Sequence, residues 1–227
     1  WSSDVCSSDL VSGDPPLRQA FADGVDIHRE TAARVLRKAP AEVTADERSM
    51  AKMVNFGLAY GMSDFGLSSR AGISRQEAQA FISGYFGAYG GIATYMVEIR
   101  ERARSQGYVQ TLLGRRRRIP ELSASNGALR AAGERMAINM PIQGTAADIM
   151  KIAMIRLHDR LREERSPARI LLSVHDEVVL EVPRELVAPV AALVREVMEG
   201  ALHLDVPLLV EVKSGDDWES MSPIPRA

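Results

Sequence analysis

The sequence predicts a predominantly helical α+β protein, and three observations support that fold class. Segments with helical periodicity and capping residues fill most of the chain up to Pro167. Beyond Pro167 the pattern changes to β-rich runs, and no internal repeat is present. The chain is 46% hydrophobic over 227 residues, which is enough for a buried core. We therefore expect a helical front and an α+β back, divided near residue 130.

Capping residues predict where the helices of the front begin and end. Asp26 precedes one amphipathic segment and Ser74 precedes another, and both residue types favour the N-cap position. Thr44 and Glu47 have the spacing of a capping box, which predicts a helix that starts near residue 45. Gly107 follows a third helical segment and is a typical C-terminal stop.

The back of the chain is predicted to contain a strand-turn-strand, a long helix and a hairpin. The stretch "YVQTLLGRRRRIP" has the strand-turn-strand character, and the helix over 126–164 is expected to bend or break near Pro141 and Gly144. The runs "ARILLSV" and "VVLEVP" flank "HDE", which predicts a hairpin with a polar tip. A helix in "ELVAPVAALVREVMEGAL" and a last strand in "VPLLVEVKSG" follow.

The charged residues are segregated, although the net charge is only −2. Residues 97–162 hold 13 Lys and Arg against 6 Asp and Glu, whereas residues 163–227 hold 6 against 13. The basic middle suits a polyanionic partner, but ordinary solvated faces explain the same pattern. No stretch approaches the ~18 consecutive apolar residues of a membrane helix. This, with the lack of a secretory signal, favours a cytoplasmic protein without membrane association.

Residues 1–10 are expected to be foreign to the fold. The stretch "WSSDVCSSDL" has no helical or strand period, and "DVCSSDL" resembles the translation of a common sequencing-library adapter end. A polar, disordered start is the alternative. The one cysteine, Cys6, lies in this segment, so the rest of the chain predicts neither a disulfide nor a zinc motif.

Four side chains recur at four-residue spacing in "ERSMAKMVNFGLAYGMS", namely Arg48, Lys52, Phe56 and Tyr60. They lie within about a third of the helix circumference, and successive members are ~6 Å apart along the axis. An arginine fork and a lysine charge at that distance suit a triphosphate, and the aromatic rings suit a sugar and a base. Two solvated cations and two core aromatics are the alternative that spacing leaves open.

Three ordered motifs resemble family A DNA polymerases, the DNA polymerase I family. The helix above reads R-x-x-x-K-x-x-x-F-G-x-x-Y-G, which is similar to the fingers-helix motif, with Asn55 before the Phe as is common there. The stretch "QGTAADIMK" at 143–151 resembles the long palm helix, and "VHDEVVLEV" at 174–182 resembles the carboxylate hairpin. The resemblance covers residues 11–227. It implies helical fingers at 11–130 and, at 131–227, the C-terminal part of an incomplete palm with a small antiparallel sheet.

The resemblance implies a nucleotide site on the fingers. Arg48 and Lys52 would hold the triphosphate, and Lys52 would also donate a proton to the leaving pyrophosphate. Phe56 would pack on the sugar and base, and Phe at this place implies discrimination against dideoxynucleotides. Tyr60 would stack at the template-base position, and His28 would reach the phosphates. Without the resemblance, a surface histidine beside a helix cap is the favoured interpretation of His28.

The resemblance also implies a DNA-binding face and a metal site. Arg135, Asn139 and Gln143 lie four residues apart and would contact primer-template DNA, although a polar helix face explains the same spacing. Asp176 would be a catalytic carboxylate ligand of a two-metal Mg²⁺ site, because Mg²⁺ prefers hard oxygen ligands. Glu177 would assist that site.

Two basic features beside these residues complete the expected DNA surface. His175 would lie near the primer terminus, and the arginine run at 114–120 suits a nucleic-acid backbone or a solvated loop. Ser173 replaces the glutamine that the family commonly has two residues before the histidine, which puts one DNA contact in doubt.

The sequence departs from the family in one important respect. A block like D-Y-S-Q-I-E-L-R, which carries the first catalytic aspartate in the family, is not found in these 227 residues. The expected function is template-directed DNA synthesis in replication or repair by a monomer that binds primer-template DNA and deoxynucleoside triphosphates. The chain alone is expected to be inactive. The alternatives are a non-catalytic DNA-binding remnant and a relative of single-subunit RNA polymerases.

Overall fold

A computed structural model describes residues 13–59, 61–205 and 207–226. Residues 1–10, expected to be non-native, lie outside this part of the chain. The helices are α1 (Pro15–Ala22), α2 (Ile27–Leu36), α3 (Ala45–Ala59), α4 (Asp64–Ala71), α5 (Arg75–Ala88), α6 (Gly90–Gln106), α7 (Gly127–Glu163) and α8 (Val187–Glu199). The strands are β1 (Tyr108–Gln110), β2 (Arg116–Arg118), β3 (Arg169–Val174), β4 (Glu177–Glu181), β5 (Lys213–Ser214) and β6 (Ser222–Pro223).

The predicted α+β class with a predominance of helix is confirmed. Each strand pair forms a two-stranded antiparallel sheet, β1 with β2, β3 with β4 and β5 with β6. Within the described residues the chain forms two compact units, 13–145 and 146–226. The assignment of 11–130 to fingers and 131–227 to a palm stays a prediction. No helix in the described ranges is long and apolar enough to cross a membrane.

The predicted capping residues are found where the sequence placed them. Asp26 caps α2 by accepting hydrogen bonds from two backbone N–H groups. Thr44 and Glu47 form the reciprocal capping box of α3, with bonds of 3.2 and 3.0 Å. Ser74 forms the same box at α5, and Gly107 ends α6 with φ of 73°. These bonds satisfy backbone groups that a helix end leaves without partners.

The core of the unit at 13–145 is formed by α1 to α6, the β1–β2 hairpin and the N-terminal half of α7. Its largest fully buried side chains are Leu17, Val54, Leu67, Tyr89, Ile119 and Ile138. The buried positions of α3 follow the helical period, so one face of that helix packs inward while the opposite face stays exposed.

The core of the unit at 146–226 lies between the C-terminal half of α7 and α8. Ile149 and Leu157 of α7 pack with Val190 and Val194 of α8 in one buried cluster. The β3–β4 hairpin packs its partly buried residues, including Val178, against the same cluster. This hairpin is closed by a two-residue turn, because Val174 pairs with Glu177.

A bend or a break is predicted in the long helix, and the break is wrong, since α7 continues through both Pro141 and Gly144. The bend stays a prediction. A proline removes one backbone donor from a helix. Two side-chain hydrogen bonds lie near the proline: the Tyr95 hydroxyl donates to the Ile138 carbonyl at 3.0 Å, and Thr145 Oγ1 donates to the Pro141 carbonyl at 2.6 Å. Pro141 and its neighbours Ile138 and Ile142 are buried, and tertiary packing of this kind stabilises a continuous helix.

The last predicted strand is also wrong over most of its length. Residues 207–212 form no strand, and only Lys213–Ser214 pairs, with Ser222–Pro223. The Val210 N–H donates to Glu199 Oε1 at 2.8 Å. This backbone group therefore bonds to a side chain instead of to a neighbouring strand. A run of β-branched residues predicts extended backbone, but the pairing of a strand depends on a neighbour that the local pattern does not specify.

Leu157→Ala should unfold the second core more easily than a matched change on the same helix. Leu157 is fully buried, and truncation of such a leucine costs about 2–5 kcal/mol. Ile155 is 63% exposed, so Ile155→Ala should change the free energy of unfolding by less than about 0.5 kcal/mol. Urea denaturation followed by circular dichroism measures both. Equal effects of the two substitutions would contradict the assigned core.

Candidate functional site

The start of α2 and one face of α3 bring together most of the predicted nucleotide-binding residues. On α3, Lys52 is exposed, while Arg48 one turn before it and Phe56 one turn after it are half-buried. His28, in the first turn of α2, stacks its ring against Phe56 with 5.5 Å between the ring centroids and a tilt of 50°. Tyr60 lies outside the described residues. We call the surface formed by Asp26, His28, Arg48, Lys52 and Phe56 the α2–α3 corner.

Asp26 connects the two helices of this corner through its two carboxylate oxygens. Oδ1 accepts from the backbone N–H groups of His28 and Arg29, each at 3.1 Å, and Oδ2 accepts from Arg48 Nε at 2.6 Å. Burial raises the pKa of Asp26, but the hydrogen bond from Arg48, the two backbone hydrogen bonds and the charge of Arg48 together lower it below its ordinary value. The carboxylate is therefore held ionised beside the guanidinium.

His28 is only 9% exposed and is surrounded by charge. Burial lowers its pKa, and the positive charges of Arg48 and Lys52 lower it further, while the nearby Asp26 carboxylate opposes them. Neutral imidazole is therefore the favoured form near pH 7. Nδ1 of the ring lies 3.0 Å from Asn55 Nδ2, and Nε2 has no hydrogen bond within the described residues.

Behind the corner lies a buried polar network that the sequence analysis did not identify. Asn55 is 4% exposed and Thr31 is fully buried, and their side chains hydrogen-bond each other. The Tyr89 hydroxyl lies 3.1 Å from Thr31 Oγ1 and completes the network with His28. The helical periodicity of α3 could have indicated this network. Positions 51, 54, 55 and 58 form one buried stripe, and Asn55 is the only polar residue among these four positions.

Two glycines, Gly57 and Gly61, flank this site and lie against side chains of the same unit. A Cβ at Gly57 would overlap the terminal methyl group of Met62. Gly61 has φ of 73°, and a Cβ there would lie 2.6 Å from Cγ of Arg135 on α7. In both cases a side chain lies close to the backbone, and at Gly61 the positive φ also favours glycine.

The predicted DNA-binding face of α7 is exposed along the helix. Arg135 and Gln143 are exposed, and Asn139 is half-buried with its Oδ1 buried and without a hydrogen bond in the described structure.

The arginine run lies beside this face on the exposed β1–β2 hairpin, and most of its side chains are held in place. Arg116 stacks over the Tyr108 ring at 4.7 Å, and Arg115 Nη2 donates to the Gly144 carbonyl of α7 at 2.9 Å. A Cβ at Gly144 would meet the Thr111 side chain at 2.7 Å, so this glycine lets the hairpin loop approach α7 closely.

The predicted metal ligand lies in the turn of the β3–β4 hairpin. His175 has φ of 54°, a conformation that non-glycine residues rarely adopt, and it starts the two-residue turn. Asp176 follows it and is half-buried, while Glu177 begins β4 and is exposed. Within the described ranges, neither carboxylate has a hydrogen bond or salt bridge, and no group of three or more His, Cys, Asp or Glu could hold a metal ion.

Comparison with solved structures identifies the architecture. The POL domain of Pol1 from M. smegmatis, in a complex with DNA primer-template and dNTP, superposes with a TM-score of 0.93 at 41% sequence identity. The alignment covers 97% of this chain and 39% of that chain. The fold is thus that of part of a polymerase domain.

The sequence comparisons then place the chain in a family. The family described as DNA polymerase family A matches residues 9–220. The chain is 50% identical over 209 residues to DNA polymerase I of Pseudomonas aeruginosa and 50% identical over 208 residues to the thermostable DNA polymerase I of Thermus filiformis. Each alignment covers 92% of this chain but only 23% and 25% of those relatives. This chain belongs to DNA polymerase family A and spans about a quarter of the length of these relatives.

Asp26→Asn should remove a pH-dependent part of the stability while it keeps the helix cap. Because the pKa of Asp26 is lower in the folded state, its stabilisation is present above the ordinary value of 3.8 and is lost as the pH falls through the folded pKa. Asparagine still caps α2, so the difference in the free energy of unfolding between the two proteins reports the ion pair. An ion pair at this exposure contributes less than about 1 kcal/mol.

Thermal unfolding of both proteins from pH 3 to pH 7 measures that difference. The gap between wild type and Asp26→Asn should be largest at pH 5–7 and should close toward pH 3. Asp23→Asn is the matched control, since Asp23 is an exposed carboxylate that bonds to a neutral amide, Gln19 Nε2. A gap for Asp26→Asn that stays constant with pH would contradict the assigned ion pair.

Proposed function

We propose that this chain carries the nucleotide-binding corner and part of the DNA-binding surface of a template-directed DNA polymerase, which extends a primer by nucleotidyl transfer. The observation that carries the proposal is the α2–α3 corner, where two cations, a histidine and an aromatic ring share one surface. Membership of DNA polymerase family A supports it. The proposed partners are primer-template DNA and deoxynucleoside triphosphates. Monomeric state and cytoplasmic location stay predictions.

The corner has the donors that a triphosphate requires. Asp26 accepts from Nε of Arg48, so both Nη groups of the guanidinium remain available for a bidentate bond to phosphate. Lys52 lies one turn along α3, ~6 Å away, and supplies a second positive charge for the next phosphate group. Lys52 is also the proposed proton donor to the leaving pyrophosphate. The half-buried Phe56 ring is placed to pack against the sugar and base, and Tyr60 is proposed to stack at the template-base position.

The proposed DNA contacts are the exposed face of α7 and the turn of the hairpin. Arg135 and Gln143 offer donors to a phosphate backbone, and Asn139 holds an amide oxygen that lacks a partner in the described structure. His175, held in an unusual backbone conformation, is proposed to lie near the primer terminus. The packed arginines of the β1–β2 hairpin extend the basic surface beside α7.

The residues of the β3–β4 turn fit one ligand position of a magnesium site. Mg²⁺ bound at such a site would supply activation of the attacking hydroxyl and a positive charge against the transferred phosphoryl group. Asp176 would supply a hard oxygen ligand, and its turn is closed by two paired strands. Glu177, the next residue, would assist by orienting bound water. The sequence matches only one of the two aspartate motifs of the family. For the 227 residues by themselves we therefore propose binding without primer extension.

Arg135→Ala should weaken the binding of primer-template DNA to the chain and should reduce its salt dependence. Loss of one phosphate contact lowers the slope of log K against log salt by about 1. Arg75→Ala is the matched control, because Arg75 is 71% exposed and is paired with Asp64 on a different helix. Fluorescence anisotropy between 50 and 200 mM salt measures both variants. Equal slopes for wild type and Arg135→Ala would contradict the proposed contact.

A chimera tests the proposed reaction directly. Residues 9–220 of this chain replace the matching segment of the Pseudomonas aeruginosa DNA polymerase I, and primer extension is measured with Mg²⁺. The chimera should extend primers, and Asp176→Ala should reduce the rate at least about 10³-fold, because a metal ligand is lost. Asp159→Asn, an exposed carboxylate on α7, is the control and should leave the rate within about twofold.

Two results would count against the proposal. A folded chimera that binds primer-template DNA but does not extend it would favour the non-catalytic DNA-binding remnant. A chimera that extends equally well with Asp176→Ala would show that this carboxylate is not a metal ligand of the reaction. Incorporation of ribonucleotides in preference to deoxynucleotides would instead favour the relationship to RNA polymerases.

A further inference from the structure

The side chain of Asn55 lies between the predicted phosphate-binding histidine and a buried hydroxyl pair. Its Nδ2 is 3.0 Å from His28 Nδ1 and 3.1 Å from Thr31 Oγ1. The Tyr89 hydroxyl is 3.1 Å from the same Thr31 oxygen. With Asn55 4% exposed and Thr31 and Tyr89 fully buried, each polar group of this network depends on the others for its hydrogen bonds.

The protons of this network can be assigned by counting donors. The Thr31 hydroxyl has one proton, and its shortest acceptor is the Ile27 carbonyl at 2.8 Å. Thr31 Oγ1 is then free to accept from both Asn55 Nδ2 and the Tyr89 hydroxyl. The amide nitrogen of Asn55 carries two protons, so one goes to Thr31 and the other points to His28 Nδ1. Asn55 Oδ1 lies 3.2 Å from Thr31 Oγ1, so the amide nitrogen is the group nearest the ring. In this amide orientation Nδ1 accepts the bond, and the proton of a neutral ring is then on Nε2.

We propose that Asn55 is a positioning residue that fixes His28 as the Nε2–H tautomer, so that the ring presents a neutral hydrogen-bond donor to a phosphate oxygen of the bound nucleotide. This inference rests on the proposed function of the α2–α3 corner. A proton on Nδ1 would place two donors face to face at 3.0 Å, which disfavours both the other tautomer and the imidazolium.

The surroundings of the ring agree with a neutral histidine. Burial and the charges of Arg48 and Lys52 lower the pKa of His28, and Asp26 is the one facing carboxylate that opposes them. Arg48 and Lys52 already supply positive charge to the corner. The neutral His28 ring would add a directed hydrogen bond to the phosphate. A charged ring at this buried position would carry the additional cost of removing a cation from water.

Nitrogen NMR of the histidine rings tests the tautomer in the chain itself. The four histidines are distinguished by comparison with His28→Gln. The His28 ring of the wild type should show a protonated Nε2 and a bare Nδ1 between pH 6 and pH 8. Asn55→Asp replaces the donor with an acceptor, so it should move a proton to Nδ1 and raise the pKa of His28. A wild-type ring protonated on Nδ1, as a reversed Asn55 amide would require, overturns the inference.

Binding of a fluorescent dATP analogue links the tautomer to the nucleotide. Asn55→Leu, which removes the bond to Nδ1, should weaken binding by about tenfold. Asn55→Asp should make binding depend on pH, with tighter binding as the pH falls. Thr31→Val should weaken binding by about threefold, and Thr31→Ser, which keeps the hydroxyl, should restore it. If Asn55→Leu does not fold, the role of Asn55 is tested by the remaining measurements. These are binding by Asn55→Asp, binding by Thr31→Val and Thr31→Ser, and the nitrogen NMR spectrum of the wild type.

The failures of the two proposals give different results. If His28→Gln leaves the affinity for the dATP analogue unchanged, the use of His28 in the proposed nucleotide site is wrong, whatever the tautomer. If His28→Gln weakens binding while Asn55→Leu and Asn55→Asp bind like wild type at every pH, the nucleotide site stands and the role of Asn55 is overturned.

Discussion

The geometry of the α2–α3 corner depends on the two oxygens of a single carboxylate. One oxygen of Asp26 caps the first turn of α2, and the other holds the Arg48 guanidinium of α3. A cap of this kind stabilises a helix by about 1 kcal/mol, whereas an ion pair at about 38% exposure adds less. The bond between Arg48 and Asp26 therefore matters mainly because it orients the Arg48 guanidinium. The bond holds one edge of the guanidinium and leaves the other edge for a ligand.

The buried network behind the corner also constrains how the helices pack. A buried polar group that loses its partner costs about 1–3 kcal/mol, so Asn55, Thr31 and Tyr89 are stable only when all of their bonds are made. These residues come from α3, α2 and the residue before α6, and the network therefore fixes the relative positions of three helices. The same bonds hold the His28 ring, which links the stability of this unit to the geometry of its proposed site.

Local patterns predicted those parts of the fold that depend on neighbouring residues in the sequence. The caps at Asp26, Thr44 and Ser74 and the β3–β4 hairpin follow from backbone chemistry within a few residues, and the structure confirms them. Of the bend or break predicted at Pro141, the break is wrong, because the burial that stabilises α7 there depends on packing that the local sequence does not specify.

In the candidate site, too, local sequence patterns predict some features and not others. The spacing of Arg48, Lys52 and Phe56 placed them on one face of α3, and the structure agrees. The bond from Arg48 to Asp26 spans 22 residues, and the bond between Thr31 and Tyr89 spans 58, so no local pattern specifies either. The periodicity of α3 does show that Asn55 points inward, but its partners are known only from the fold.

The central claim is that the α2–α3 corner recognises the phosphates of a nucleotide, and the most direct test compares dATP with dAMP. Isothermal titration of the wild-type chain with each nucleotide gives the preference for the triphosphate, and the same measurement is made on Arg48→Ala/Lys52→Ala. The account predicts a preference of at least about tenfold in the wild type that disappears in the double variant, because the two cations supply it. An undiminished preference in a folded double variant would contradict the account.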